Sequence, residues 1–205
     1  MLKAVIFDLD GVLLDNTQLI VEIFQEVARR SGVKVPDAKS IIATLGLIGK
    51  DMIEIVLGNG EKYRETLIQV WMEREKEMKL MPGVEIVLKE LKTKKAVVTS
   101  APDLAAKRRL SDFMDYFEAI ITQESTEKHK PNAQPLLLAC EKLGVKPEEA
   151  VYIGDRLIDF ETAKNAGMDF IGILSGGTSK EEFKKAGVEK IINSLGELLE
   201  IVKQP

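Results

Sequence analysis

The chain has 205 residues, of which 45% are hydrophobic and 30% are charged, and its formal net charge is −4. These values exclude a disordered tail, a collagen-like rod and a disulfide scaffold, and the charge favours neither a nucleic acid nor a membrane surface as partner. The single cysteine, Cys140, permits no internal disulfide and favours a reducing compartment. We therefore expect a cytoplasmic protein, and its enrichment in Glu and Lys is typical of heat-adapted proteins.

The first part of the chain predicts one strand followed only by helices. The apolar run LKAVIFDLD ends abruptly in acid and reads as a buried strand. Amphipathic spacing then predicts a helix over 17–31, and further helical stretches cover 51–57 and 61–80. No strand pattern is visible between residues 15 and 80.

From residue 81 onward, helices and short apolar runs alternate. Helices are predicted near 83–93, 103–111, 132–143 and 159–166 and at the end of the chain, and strands are predicted at 96–100, 118–122, 150–155, 169–174 and 190–193.

This alternation, with uniformly apolar strands, predicts a Rossmann-like, doubly wound α/β fold whose parallel sheet is buried on both faces. The sheet domain would comprise residues 1–14 and 81–205, with residues 15–80 inserted after the first strand as a helical domain.

Reactive side chains follow several of the predicted strands. Ligands bind outside the carboxyl ends of the strands in such a sheet, so these residues should share one edge. They are Asp8 and Asp10, Thr99 and Ser100, Lys130, Asp155, and Asp159 one helical turn later.

The carboxylates in this set predict a metal site. Asp8 and Asp10 are two positions apart in an extended chain and should be close, and such carboxylates repel unless a cation lies between them. Oxygen ligands without His or Cys favour Mg²⁺, and a hydroxyl together with a lysine suits a phosphoryl group. The alternative, in which these carboxylates only cap helices, explains one aspartate more easily than the whole set.

Four segments of the chain resemble the motifs of the haloacid dehalogenase-like hydrolases. They are FDLDGVLLDN (7–16), VVTSA with Thr99, Lys130-Pro131, and GDRLIDFETAKNAGM (154–168). The segment LMPGVEIVLKEL (80–91) resembles the branch that contains phosphoglycolate phosphatase and β-phosphoglucomutase. This resemblance also implies that the inserted helices form a cap over the sheet.

The resemblance implies a role for each motif residue. Asp8 would attack phosphorus and become an aspartyl phosphate, while Asp10 would protonate the leaving alcohol and then activate water. Thr99 and Lys130 would bind the phosphoryl oxygens. The implied Mg²⁺ ligands are the Asp8 carboxylate, the Asp10 backbone carbonyl and Asp155, assisted by Asp159.

Further residues follow from the same resemblance. Gly11 and Ser100 would contribute to substrate binding. Lys50, in a segment that resembles the specificity region of the cap, would meet a substrate anion or remain a solvated lysine. Arg156 follows Asp155 where relatives carry a small residue. It would either balance the carboxylate cluster or, as we expect, form a surface ion pair.

The expected activity is a Mg²⁺-dependent phosphatase acting on a small phosphate monoester, as a monomer or small homo-oligomer. Asp10 argues against dehalogenation, because dehalogenase members lack this second aspartate. A phosphomutase of the β-phosphoglucomutase type remains open, because it shares the first motif. A phospho-aspartate receiver module is the alternative from a different class, but such modules are shorter and lack a helical insertion.

Overall fold

The computed structural model describes residues 2–202. Its centre is a six-stranded sheet. The strands are β1 (Ala4–Phe7), β4 (Lys94–Val98), β5 (Ala119–Ile121), β6 (Ala150–Gly154), β7 (Asp169–Ile173) and β8 (Lys190–Ile192). They are all parallel and lie in the order β5-β4-β1-β6-β7-β8. All side chains of β1 and β6 are buried, as expected for strands covered on both faces.

Helices cover both faces of the sheet, and each face has its own apolar cluster. They are α5 (Val84–Glu90), α6 (Asp103–Arg109), α7 (Gln134–Leu143), α8 (Leu157–Ala166), α9 (Lys180–Ala186) and α10 (Gly196–Val202). The predicted doubly wound α/β fold is therefore confirmed. None of the described helices is long and apolar enough to cross a membrane.

The segment between the first two long strands of the sheet is helical. It contains α1 (Thr17–Arg30), α2 (Ala38–Ile42), α3 (Gly49–Leu57) and α4 (Gly60–Arg74), followed by a 3₁₀ turn (Glu75–Glu77). Its helices bury a third apolar cluster, distinct from the two against the sheet. The predicted domain boundaries at residues 14 and 81 stay a prediction.

The expectation that residues 15–80 contain no strand is wrong. Two-residue strands, β2 (Leu14–Asp15) and β3 (Lys79–Leu80), pair antiparallel where the chain leaves and re-enters the sheet region. The Met81 amide also donates to the Leu13 carbonyl at 2.8 Å. Two residues are too few to show an alternating pattern, so this pair could not be predicted from the sequence. The helix predicted over 61–80 is also shorter than expected, because α4 ends at Arg74.

The strand register places the candidate site at one edge. Phe7 of β1 lies opposite Val97 of β4 and Ile153 of β6. The residues that follow these strands therefore leave the sheet at nearly the same level, as parallel pairing requires.

Candidate active site

Three carboxyl groups meet beyond the carboxyl ends of the central strands. Asp8 follows β1, Asp155 follows β6, and Asp159 lies in the first turn of α8. All three residues are buried, and one oxygen atom from each lies within 4.8 Å of the others. Like charges this close repel, so the arrangement requires cations to compensate them.

Lys130 supplies one of these cations from the loop between β5 and α7. Its Nζ lies 2.8 Å from Asp8 Oδ1 and 2.7 Å from Asp159 Oδ1, and the side chain is buried. Burial by itself lowers the pKa of Lys130, but the Asp159 and Asp8 carboxylates outweigh it and hold the pKa above its ordinary value. The ammonium group therefore stays charged and joins two of the three carboxylates.

Asp155 has no comparable donor. Both of its carboxylate oxygens are buried without a hydrogen-bond partner among the described residues. Arg156 Nε lies 3.1 Å from Asp155 Oδ2, close enough to pair electrostatically but without the geometry of a hydrogen bond. Burial raises the pKa of Asp155 to about 7 and raises the pKa of Asp8 well above its usual range.

Two glycines close the space around Asp155. A Cβ atom on Gly11 would lie 2.6 Å from Asp155 Oδ2, and a Cβ on Gly176 would lie 1.6 Å from the same oxygen. Gly11 also has a φ of 85°, which favours glycine, and its carbonyl accepts a hydrogen bond from Ser175. Because neither glycine has a side chain, the backbone at both positions can lie directly against the Asp155 carboxylate.

The residues present fit a hard divalent cation. Their donor atoms are carboxylate oxygens only, and the two oxygens of Asp155 are buried without a hydrogen-bond partner among the described residues. A buried carboxylate without a donor is costly unless a proton or a metal ion compensates it. Oxygen ligands of this kind suit Mg²⁺ better than Zn²⁺.

Asp10 lies apart from the three carboxylates and faces the cleft. Its Oδ1 accepts hydrogen bonds from Asn16 Nδ2 and, at 3.3 Å, from Arg109 NH1. Its side chain is 28% exposed, so it is accessible to a molecule bound in the cleft. These contacts hold the Asp10 carboxylate in the cleft, and none of them joins it to Lys130.

Thr99 and Ser100 follow β4 and also line the cleft. The Thr99 hydroxyl accepts a hydrogen bond from the Ala101 amide at 3.1 Å, which leaves its own proton available to a ligand. The Ser100 hydroxyl donates to the Gly46 carbonyl at 2.6 Å, so it joins the sheet edge to the helical segment.

Lys50 and Arg156, the two other basic residues considered from the sequence, differ in their burial. Lys50 is exposed and is not among the residues that line the cleft. The expectation that Arg156 pairs on the surface is wrong, because the residue is only 8% exposed. Arg156 NH1 donates to the Ile42 carbonyl at 3.0 Å, and a Cβ on Gly177 would lie 2.3 Å from NH1, so the guanidinium is enclosed between Asp155, α2 and a glycine loop.

The cleft lies between the sheet edge and the helical segment, and its cavity volume is about 90 Å³. Its polar wall includes Asp8, Asp10, Thr99 and Lys130. Its other wall is mainly apolar and comes from the helical segment: Ile20, Phe24, Leu45, Leu47, Met52, Leu67 and Trp71. Such a space fits a small molecule whose polar end faces the sheet.

Sequence reasoning did not identify three residues that the structure brings to the site. Asn16 bonds Asp10, Tyr152 donates to Asp159 Oδ1 at 3.0 Å, and Arg109 contacts both Asp10 and the Trp71 ring. Asn16 lies in the first motif and could have been singled out there. In the sequence, Tyr152 is one residue of an apolar strand and Arg109 is the last of three consecutive basic residues, so no pattern singles out either of them.

Comparison with known proteins places this geometry in a family. The sequence model described as haloacid dehalogenase-like hydrolase matches residues 5–173. A Clostridium perfringens protein assigned the pyrophosphatase name PpaX is 32% identical, over 100% of this chain and 99% of its own length. A phosphorylated carbohydrates phosphatase from Thermotoga maritima is 31% identical, over 97% of this chain and 100% of its own length.

Solved structures agree with the sequence relatives. A crystal structure described as a haloacid dehalogenase-like hydrolase from Bacteroides fragilis superimposes with a TM-score of 0.89 at 30% identity, covering 97% of this chain and 100% of that chain. The enzyme class and family predicted from the motifs are confirmed. The chain therefore belongs to the haloacid dehalogenase-like hydrolases.

Proposed function

We propose that this enzyme is a Mg²⁺-dependent phosphatase that hydrolyses a small phosphate monoester through an aspartyl phosphate on Asp8. The observation that carries the proposal is the position of Asp8. Its carboxylate is buried at the polar wall of the cleft, 2.8 Å from the Lys130 ammonium and near the Asp155 oxygens, which have no hydrogen-bond partner among the described residues. The phosphatase class is further supported by the names of the relatives.

Asp8 and Asp155, with the Asp10 backbone carbonyl, would hold Mg²⁺. When bound, the ion supplies positive charge that offsets the charge of the phosphoryl group and of the carboxylates. The donor set supports this assignment, and so do the buried oxygens of Asp155, which lack a hydrogen-bond partner among the described residues.

Asp159 would assist chiefly by positioning Lys130. Its Oδ1 is bonded to Lys130 and Tyr152, and its Oδ2 accepts from the Arg156 amide at 3.2 Å. Three donors therefore already compensate this carboxylate. In contrast to Asp155, it does not require a metal ion for compensation.

In the first step, an oxygen of Asp8 would form a bond to phosphorus while the bond from phosphorus to the ester oxygen breaks. Asp10 would give its proton to that departing oxygen. In the second step, Asp10 would take a proton from water, whose oxygen bonds to phosphorus and releases Asp8. Thr99 and Lys130 would bind the phosphoryl oxygens during both steps.

The helical segment would act as a cap over this chemistry. Its apolar side chains form one wall of the cleft, and Ser100 and Arg156 connect the sheet edge to its Gly46 and Ile42 carbonyls. A wall of this kind excludes bulk water and large protein substrates. We therefore expect substrates of the size of a phosphorylated small metabolite.

Release of inorganic phosphate from a panel of phosphate esters, with Mg²⁺ or with EDTA, tests this function. We expect turnover that requires the metal and is abolished in Asp8→Asn. Asp115→Asn, which changes an exposed aspartate, is the matched control and should retain full activity. Turnover in EDTA, or near-normal activity of Asp8→Asn, would contradict the proposal.

A phosphomutase is the second candidate, because a Thermotoga maritima crystal structure given the name β-phosphoglucomutase matches with a TM-score of 0.79 at 27% identity. A mutase would transfer the phosphoryl group from Asp8 to a sugar hydroxyl instead of to water. Product analysis by phosphorus NMR with β-glucose 1-phosphate separates the two: a phosphatase yields inorganic phosphate, and a mutase yields an isomeric sugar phosphate.

A further inference from the structure

Arg109 turns into the cleft, unlike the two basic residues before it. The side chains of Lys107 and Arg108 are about half exposed and pair with Asp103 and Glu75. The side chain of Arg109 is 6% exposed and lines the cleft. A cation in the last turn of a helix interacts with the helix dipole while it is exposed, as Lys107 and Arg108 are. This interaction therefore does not explain why Arg109 is buried.

The guanidinium of Arg109 is only partly satisfied by the protein. Its NH1 lies 3.3 Å from Asp10 Oδ1, an oxygen that also accepts from Asn16. Its Nε is buried and has no hydrogen-bond partner among the described residues. A guanidinium has five donors in a fixed plane, so this one keeps donors available for a further acceptor.

Trp71 fixes the orientation of this group. The guanidinium carbon of Arg109 lies 4.5 Å from the centre of the Trp71 ring, which belongs to α4 of the helical segment. A cation–π contact of this kind restricts the guanidinium without using its hydrogen-bond donors. The cation is thus oriented in advance between the two walls of the cleft.

The position of Arg109 indicates which part of a substrate it would meet, and this step rests on the proposed function. Lys130 contacts Asp8 and so faces the phosphoryl group that is transferred. Arg109 contacts Asp10, which is proposed to protonate the departing oxygen. Arg109 therefore faces the leaving group.

We infer that Arg109 binds a second anionic group, a carboxylate or a phosphate, carried by the leaving group of the substrate. The planar guanidinium matches both anions with paired hydrogen bonds. The substrate class is then a small phosphate ester or anhydride with a second anion close to the bond that is cleaved. An uncharged leaving group would leave the guanidinium with no anionic partner other than Asp10 among the described residues.

Binding without turnover tests the inference. In the Asp8→Asn background with Mg²⁺, calorimetric titration compares 2-phosphoglycolate with 2-hydroxyethyl phosphate, which carries a hydroxymethyl group in place of the carboxylate. We expect phosphoglycolate to bind at least about 10-fold more tightly, the contribution of a charge-assisted hydrogen bond. Adding Arg109→Gln should bring the ratio of the two affinities close to one. A titration with pyrophosphate, compared with the phosphoglycolate titration, shows whether a phosphate or a carboxylate is the preferred second anion.

Arg108→Gln is the matched control and should leave the ratio unchanged, because Arg108 is exposed and pairs with Glu75. Arg109→Lys keeps the charge without the planar donors and should retain part of the preference, which guards against a folding defect in Arg109→Gln.

Equal affinities or no measurable binding with Arg109 present would overturn the inference. It would also be overturned if Arg109→Gln weakened both ligands equally, because Arg109 would then act only through Asp10. Failure of the proposed function is a separate result, since it appears as absence of phosphate release by the wild-type enzyme whatever the binding preference.

Discussion

Asp159 is the residue that connects the most groups at the site. It accepts hydrogen bonds from Lys130, from the Tyr152 hydroxyl and from the Arg156 amide. Lys130 in turn reaches Asp8, and its ammonium lies 5.2 Å over the Tyr152 ring. The orientation of the proposed nucleophile thus depends on a chain of buried contacts, in which each partner restricts the next.

Tyr152→Phe tests this chain of contacts, because it removes one donor to Asp159 and keeps the ring. We expect kcat to fall about 10-fold, the effect typical of losing an outer partner of a site, with little change in KM. Steady-state kinetics in saturating Mg²⁺ provide the measurement. Tyr116→Phe, which removes a hydroxyl outside the site, is the control, and an equal loss in both variants would argue against a positioning role for Tyr152.

At the scale of secondary structure elements, the loop after β7 determines the space around Asp155. Gly176 lies so close to this carboxylate that any side chain would overlap it. Gly11, in the loop after β1, approaches the same oxygen from another element. The position of Asp155 is therefore defined by backbone from two loops and not only by its own strand.

Gly176→Ala should consequently displace Asp155 and impair the proposed metal site. We expect the Mg²⁺ concentration needed for half-maximal activity to rise at least about 10-fold, the loss typical of disturbed support around a ligand. Gly196→Ala is the control, because its nearest neighbour would be Ser194 Oγ at an ordinary 3.7 Å. An unchanged metal requirement in Gly176→Ala would show that Asp155 does not need this close approach.

Sequence patterns predicted the elements of the sheet and the residues at their ends, because buried strands are continuous apolar runs that stop at polar residues such as Asp8 and Asp155. They could not predict contacts that arise between distant elements. The burial of Arg109 involves Trp71, which α4 brings against it. The burial of Arg156 likewise depends on how α2 and the Gly177 loop fold over it.

At the scale of the whole molecule, the fold concentrates buried negative charge at one edge of the sheet. In the metal-free protein, burial raises the pKa of Asp155 from 3.8 to about 7. Between about pH 4 and pH 7, the folded protein therefore keeps a proton that the unfolded chain has released. The contribution of Asp155 to the free energy of unfolding therefore falls as the pH rises through this window.

Asp155→Asn should reduce this dependence, because the amide does not titrate. Denaturant unfolding in EDTA across this pH range should show a smaller fall for the variant than for the wild type, with part of the fall remaining because the pKa of Asp8 is also raised. At pH 8, Mg²⁺ should raise the Tm of the wild type and of Asp115→Asn but not that of Asp155→Asn. Equal stabilisation of all three proteins by Mg²⁺ would show that the ion does not bind at Asp155.

Identification of the residue that becomes phosphorylated is the most direct test of catalysis by Asp8. The enzyme is quenched in acid during turnover and treated with borohydride, which reduces an acyl phosphate side chain to an alcohol, and peptide mass spectrometry then locates the reduced residue. We predict reduction at Asp8 and none in Asp8→Asn. Reduction at a different aspartate, or no reduced residue during demonstrated turnover, would contradict an aspartyl phosphate on Asp8.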